Sequence, residues 1–108
     1  MENNEKQRAK RVNPKQRIDV VNFVGGDVLA QIVNISISGM MLASRQKFTD
    51  DQMFQTTVQL GGHELSLGLE CVWAETQESG MTYGGFMIID ISDSDNGRLQ
   101  HFIESQDE

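Results

Sequence analysis

The chain has 108 residues, 38% hydrophobic and 23% charged, with a formal net charge of −7. That length suits one domain, and the composition fills a small core, which excludes disorder throughout. No apolar run approaches the roughly 20 residues that span a bilayer.

The first seventeen residues are polar, with no apolar signal segment. Together with a single cysteine, Cys71, which excludes an internal disulfide, this gives the expectation of a cytoplasmic protein without membrane association. Residues 1–17 hold six of the nine basic residues against Glu2 and Glu5, a local charge of +4, which leaves the remainder at −11. A basic arm on an acidic body suits an anionic ligand held by the arm. The acidic body and the 6% aromatic content argue against a nucleic-acid surface, which needs positive charge and stacking platforms.

Pro14 marks the end of the arm, and the folded body is expected over residues 18–105. Ile18 to Phe23 is β-branched and aromatic and runs into Gly25-Gly26-Asp27, so it reads as a strand closed by a turn into a second strand, Val28 to Ile35. Gly39 to Ala43 is a third, short strand. From Phe54 to Leu60 the alternation puts Phe54, Thr56, Val58 and Leu60 inward. Gly61-Gly62 then makes a two-residue hairpin turn. Leu65, Leu67, Leu69, Cys71 and Trp73 continue at a period of two, all predicted inward. Met81 to Ile89 pairs back, with Gly84-Gly85 weakening or bulging it. The period changes at the end. Ser92 to Asp95 offers N-caps with acid in the first turn, and Leu99, Phe102 and Ile103 recur at helical spacing, which predicts a helix over about 95–105. Six short strands and one helix predict an all-β fold, a small six-stranded antiparallel barrel with a C-terminal α-helix.

Catalytic patterns are missing. No G-x-S-x-G elbow surrounds Ser36 or Ser38, and neither His63 nor His101 is predictably close to a nucleophile. Two histidines and one cysteine at remote positions have no metal-ligand spacing, and Asp90, Asp93 and Asp95 lack a calcium-loop pattern. The expectation is no enzyme, no metal and no cofactor. Asn34-Ile35-Ser36 matches a glycosylation sequon, a chance match without a secretory signal. Most of the strand methionines are expected in the core.

The segment Asn34-Ile35-Ser36-Ile37-Ser38-Gly39 carries the densest polar chemistry. An asparagine amide both donates and accepts toward a nucleobase edge. The serine hydroxyls bond their own backbone or a phosphate, and a glycine allows positive φ and close approach. The same residues equally suit an Asx/Ser turn between two strands.

Asn34-x-Ser36-x-x-Gly39 resembles the Asp/Asn-x-Ser-x-x-Gly motif of PilZ domains, the bacterial receptors for cyclic di-GMP. Arg11-Val12 resembles the end of that family's R-x-x-x-R motif. The position of its first arginine falls on Gln7, and Arg8 stands one residue on. Val72-Trp73 and Tyr83-Gly84-Gly85-Phe86 are similar to its closing hairpin, and the terminal helix follows in place. The resemblance implies a six-stranded barrel and a cyclic di-GMP site, with Arg8 and Arg11 on guanine and phosphate and Lys10 adding charge. Asn34 would meet a guanine edge, Ser36 would order the loop or the ligand, Gly39 would permit approach, and Trp73 would wall the pocket. It further implies that ligand binding orders arm 1–17 and that a downstream partner protein reads the result. The departure at Gln7 leaves an alternative, a PilZ-type domain that no longer binds nucleotide and serves as a protein-interaction adaptor.

Overall fold

Alternating apolar side chains make strands, and tight turns between them force antiparallel neighbours. A computed structural model describes residues 10–106. It contains β1 (Asp19–Asn22), β2 (Val28–Ile35), β3 (Gly39–Ser44), β4 (Met53–Leu60), β5 (His63–Thr76), β6 (Thr82–Asp90) and one helix, α1 (Asp93–Ser105). The strands close as a barrel in the order β1-β2-β3-β6-β5-β4. Val20, Val21 and Asn22 of β1 pair with Val58, Thr57 and Thr56 of β4, so no strand edge stays open. Gly61 and Gly62 both take positive φ, 57° and 86°, in the turn that pairs Leu60 with His63.

Inward positions fill the barrel. Val20, Ile35, Leu42, Val58, Leu65, Leu67 and Leu69 are fully buried, and Thr56 among them satisfies its hydroxyl by donating to the Leu67 carbonyl at 2.9 Å. Phe48, from the loop between β3 and β4, is buried edge-on to Phe54 and Phe86, with centroids 5.9 and 5.0 Å away. The sequence pattern gave no sign of this plug, because a loop residue has no period.

Helix α1 starts where Ser92 Oγ accepts from Asp95 N at 3.1 Å. It buries Leu99, Phe102 and Ile103 against β4 and β5. Asp95 ties the first turn to the sheet by accepting from Ser66 N at 3.0 Å and from Arg98 at 3.1 Å. Among the described residues no helix is long and apolar enough to cross a membrane.

Three expectations change. Trp73 is not inward: Cys71 pairs with Phe86 but Trp73 pairs with Gly85, so Val72 is an extra residue on β5. This β-bulge turns Trp73 onto the outer wall, where it is 44% exposed. Of Met40, Met41, Met81 and Met87, expected mainly in the core, only Met40 is fully buried, and Met87 points outward, 46% exposed. Finally, contacts of the barrel reach ahead of residue 18. Val12 is buried and bridges Ile35: its N donates to the Ile35 carbonyl at 3.0 Å, and its carbonyl accepts from Ile35 N at 2.9 Å.

Ser92→Ala removes the cap acceptor of α1. It should lower unfolding stability by about 1 kcal/mol, read as a reduced midpoint in urea with an unchanged slope.

Candidate functional site

Register decides which side chains share the outer wall. Asn34 of β2 pairs with Met41 of β3, Met41 with Gly85 of β6, and Gly85 with Trp73 of β5. These four positions form one row across four strands, and the row faces out because its neighbours Ile35, Met40, Phe86 and Cys71 face in. Gly85 is the low point. A Cβ there would strike the indole of Trp73, so the ring lies directly across the glycine backbone.

Arg11 enters the same face through the Val12–Ile35 bridge. Val12 points inward opposite Ile35, so Arg11, one residue earlier, must point outward on the side of Asn34. Its Nη1 donates to Asn34 Oδ1 at 2.6 Å, while Asn34 Nδ2 donates to Met41 Sδ at 3.7 Å. A groove of about 390 Å³ results, lined by Arg11, Asn34, Met41, Val72, Trp73 and Gly85. That is within the ~300–1,000 Å³ typical of small-molecule sites. It combines a permanent cation, an amide with both donor and acceptor, and an aromatic ring, the set that holds an anionic, planar, hydrogen-bonding ligand.

Ser36 is fully buried and builds the turn beneath the groove. Its N donates to the Gly39 carbonyl at 2.8 Å, and its Oγ accepts from Ser38 N at 3.2 Å and Gly39 N at 3.3 Å. Gly39 does not take the positive φ expected of it. Its need is for space, because a Cβ would collide with the Phe86 carbonyl oxygen where β3 runs against β6. Lys10 is exposed and does not line the groove. Arg8 lies outside the described residues.

The structure thus brings Arg11 and Asn34 together over a turn built by Ser36 and Gly39. Sequence reasoning missed Met41, Val72 and Gly85 as lining residues, since only cross-strand register joins them. Cys71, one layer below Trp73, is buried, and its thiol donates to the Trp73 carbonyl at 3.4 Å. Burial, reinforced by the Asp50 carboxylate, pushes this thiol up from its ordinary range, which keeps it protonated and unreactive. Among the described residues no group of three or more His, Cys, Asp or Glu could hold a metal ion.

Fold and groove together define a small closed barrel whose polar site sits on the outer wall beside an N-terminal segment. A family model for the PilZ domain matches residues 5–105, and the chain belongs to that family. Three solved structures share the fold. YcgR from Escherichia coli, solved in complex with c-di-GMP, aligns with a TM-score of 0.72 at 16% identity, over 93% of this chain and 45% of that one. The PilZ domain of the same protein with c-di-GMP aligns at 0.70 and 14%, over 93% and 90%. The Bacillus subtilis inhibitor of motility MotI/DgrA aligns at 0.70 and 18%, over 93% and 51%. The chain therefore spans about half the length of the YcgR and MotI chains. No curated protein matches it significantly.

Gly85→Ala should push the indole of Trp73 off the β6 backbone. Trp73 is the single tryptophan, so fluorescence reads this directly. A red-shifted emission is expected, with a stability loss of about 1–3 kcal/mol from overpacking.

Proposed function

We propose that the chain is a receptor for cyclic di-GMP that passes its bound state to a partner protein without catalysis. The observation that carries this reading is the convergence of Arg11 and Asn34, 2.6 Å apart, over a groove walled by Trp73. Membership of the PilZ family supports it, as does the likeness to YcgR, which was solved with c-di-GMP.

In this reading the Arg11 guanidinium takes a guanine edge through two parallel donors, or a phosphate oxygen, in place of Asn34 Oδ1. Asn34, released from Arg11, turns its amide to the other guanine edge. Trp73 offers a face for stacking, worth about 1–3 kcal/mol per base. Ser36 and Gly39 act by shape. The buried hydroxyl holds the turn, and the missing Cβ lets β3 seat Asn34 at the groove. Arg8 and Lys10 supply further positive charge toward the two phosphates, and binding draws the basic arm ahead of Val12 onto an otherwise acidic barrel. This last step makes the output an order–disorder switch of the arm, read by a soluble cytoplasmic partner.

The adaptor reading, a PilZ domain without nucleotide binding, is favoured by one observation. Gln7 stands where the family's first motif arginine is expected, and a neutral amide lacks the guanidinium fork and its charge.

Calorimetric titration with cyclic di-GMP, with GTP and linear pGpG as controls, separates the two. Selective micromolar or tighter binding is expected, with quenching of Trp73 fluorescence. Arg11→Ala should weaken it roughly 10- to 150-fold, the scale of one charged bidentate contact, while the thermal unfolding midpoint stays near that of the parent. Absence of binding to the parent chain at moderate salt leaves the adaptor reading.

A further inference from the structure

The outer wall of β4, β5, β6 and β3 continues past the groove. Met53 pairs with Glu70, Glu70 with Met87, and Met87 with Gly39, so these four form the row next to Trp73 and Gly85. In this row Met53 and Met87 keep 66% and 46% of their surface, while Glu70 between them is half-buried and Gly39 is buried. Ile37, from the turn before β3, and Val72, at the bulge, are also exposed, 44% and 53%. Helix α1 shields β4 and β5 from the other end, through Leu99, Phe102 and Ile103. Register thus sets Met53 and Met87 on either side of Glu70 on one outer wall, with Val72 at the bulge and Ile37 in the turn ahead of β3, so apolar and acidic side chains alternate there.

Strands β4, β5 and β6, which carry this row, together bear acidic side chains but no lysine or arginine. Glu70 sits within the row, and Asp90 leans over Gly68 beside it, close enough that a Cβ on Gly68 would lie 2.9 Å from the Asp90 Cβ. On the far side Asp51 N donates to the Cys71 carbonyl at 2.9 Å, which seats Asp50 and Asp51 against the bulge. A second copy of this acidic face would be repelled, and so would an anionic membrane or nucleic acid.

We propose that this face docks a basic, amphipathic segment of a partner protein, with apolar side chains against Met53, Met87 and Ile37 and lysine or arginine against Glu70, Asp90 and Asp51. Methionine suits such a surface, since its flexible thioether adapts to the partner's shape. The patch abuts the groove at Val72 and Trp73, so a ligand there changes the edge the partner meets. The existence of a partner rests on the receptor reading proposed above, whereas the docking chemistry does not, and the test runs without nucleotide.

The probe is a synthetic amphipathic helix of leucine and lysine, with a leucine and glutamate counterpart, titrated into the isotope-labelled full chain and followed by amide chemical shifts. The lysine peptide should shift Met53, Glu70, Met87 and Ile37, and the glutamate peptide should not bind. Met87→Glu and Met53→Glu, both at exposed positions that tolerate charge, should each weaken the lysine peptide about tenfold, the effect of losing one interface anchor. Met87→Glu should leave cyclic di-GMP affinity within about twofold, and Arg11→Ala should leave the peptide affinity equally unchanged, so each reading fails on its own arm. Shifts confined to another face, equal binding of both peptides, or Met87→Glu without effect would overturn the proposal. So would sedimentation showing a dimer that Met87→Glu dissolves, since the occupant would then be a second copy.

Discussion

A six-stranded barrel closed by β1 on β4 leaves no room inside for a ligand, and the rest of the molecule follows from that. Its interior is filled by leucine, isoleucine and valine from β1 to β5 and by Phe86 from β6, packed as a protein core is packed. Any binding chemistry must therefore sit on the outer wall. There a site is made by the absence of side chains as much as by their presence. Gly85 supplies the depression, Trp73 its wall, and the bulge at Val72 the rotation that puts the indole outside.

The short bridge between Val12 and Ile35 connects that wall to the arm. Two backbone hydrogen bonds and a buried valine hold the chain one residue after Arg11. The cation is thereby held at Asn34, and in the receptor reading less ordering entropy remains to be lost at binding than for a free arm. The Asn-x-Ser-x-x-Gly segment divides its labour in a comparable way. Asn34 faces the groove, while Ser36 and Gly39 have no exposed chemistry and set the turn from below. This arrangement is compatible with a loop that serves both as a plain turn and as a support for recognition.

Charge separates the two outer surfaces. Arg11 makes the groove electropositive, whereas the neighbouring row of Met53, Glu70 and Met87 lies on strands without a single lysine or arginine. In the receptor reading a dianionic ligand is drawn to the first and kept off the second, and a basic partner the reverse. In that reading, adjacent sites of opposite preference give the small domain an input and an output on one wall.

Much of this was legible in the amino-acid order. The period-two runs at Thr56–Leu60 and Leu65–Cys71, the glycine turns, and the helical spacing of Leu99, Phe102 and Ile103 depend on local geometry, so strands, helix and barrel class could be read directly. Asn34, Ser36 and Gly39 stand out as polar and small residues between two strands, and Arg11 through its resemblance to a family motif. What tertiary structure alone decided were the relations between strands: Trp73 on the outside, Met87 and Met53 exposed, Gly39 constrained by the Phe86 carbonyl rather than by φ, and Phe48 folded into the barrel end. Each depends on a one-residue shift of register or on a contact between segments far apart in the chain. A β-bulge reverses every expectation of facing after it, and no local period contains that information.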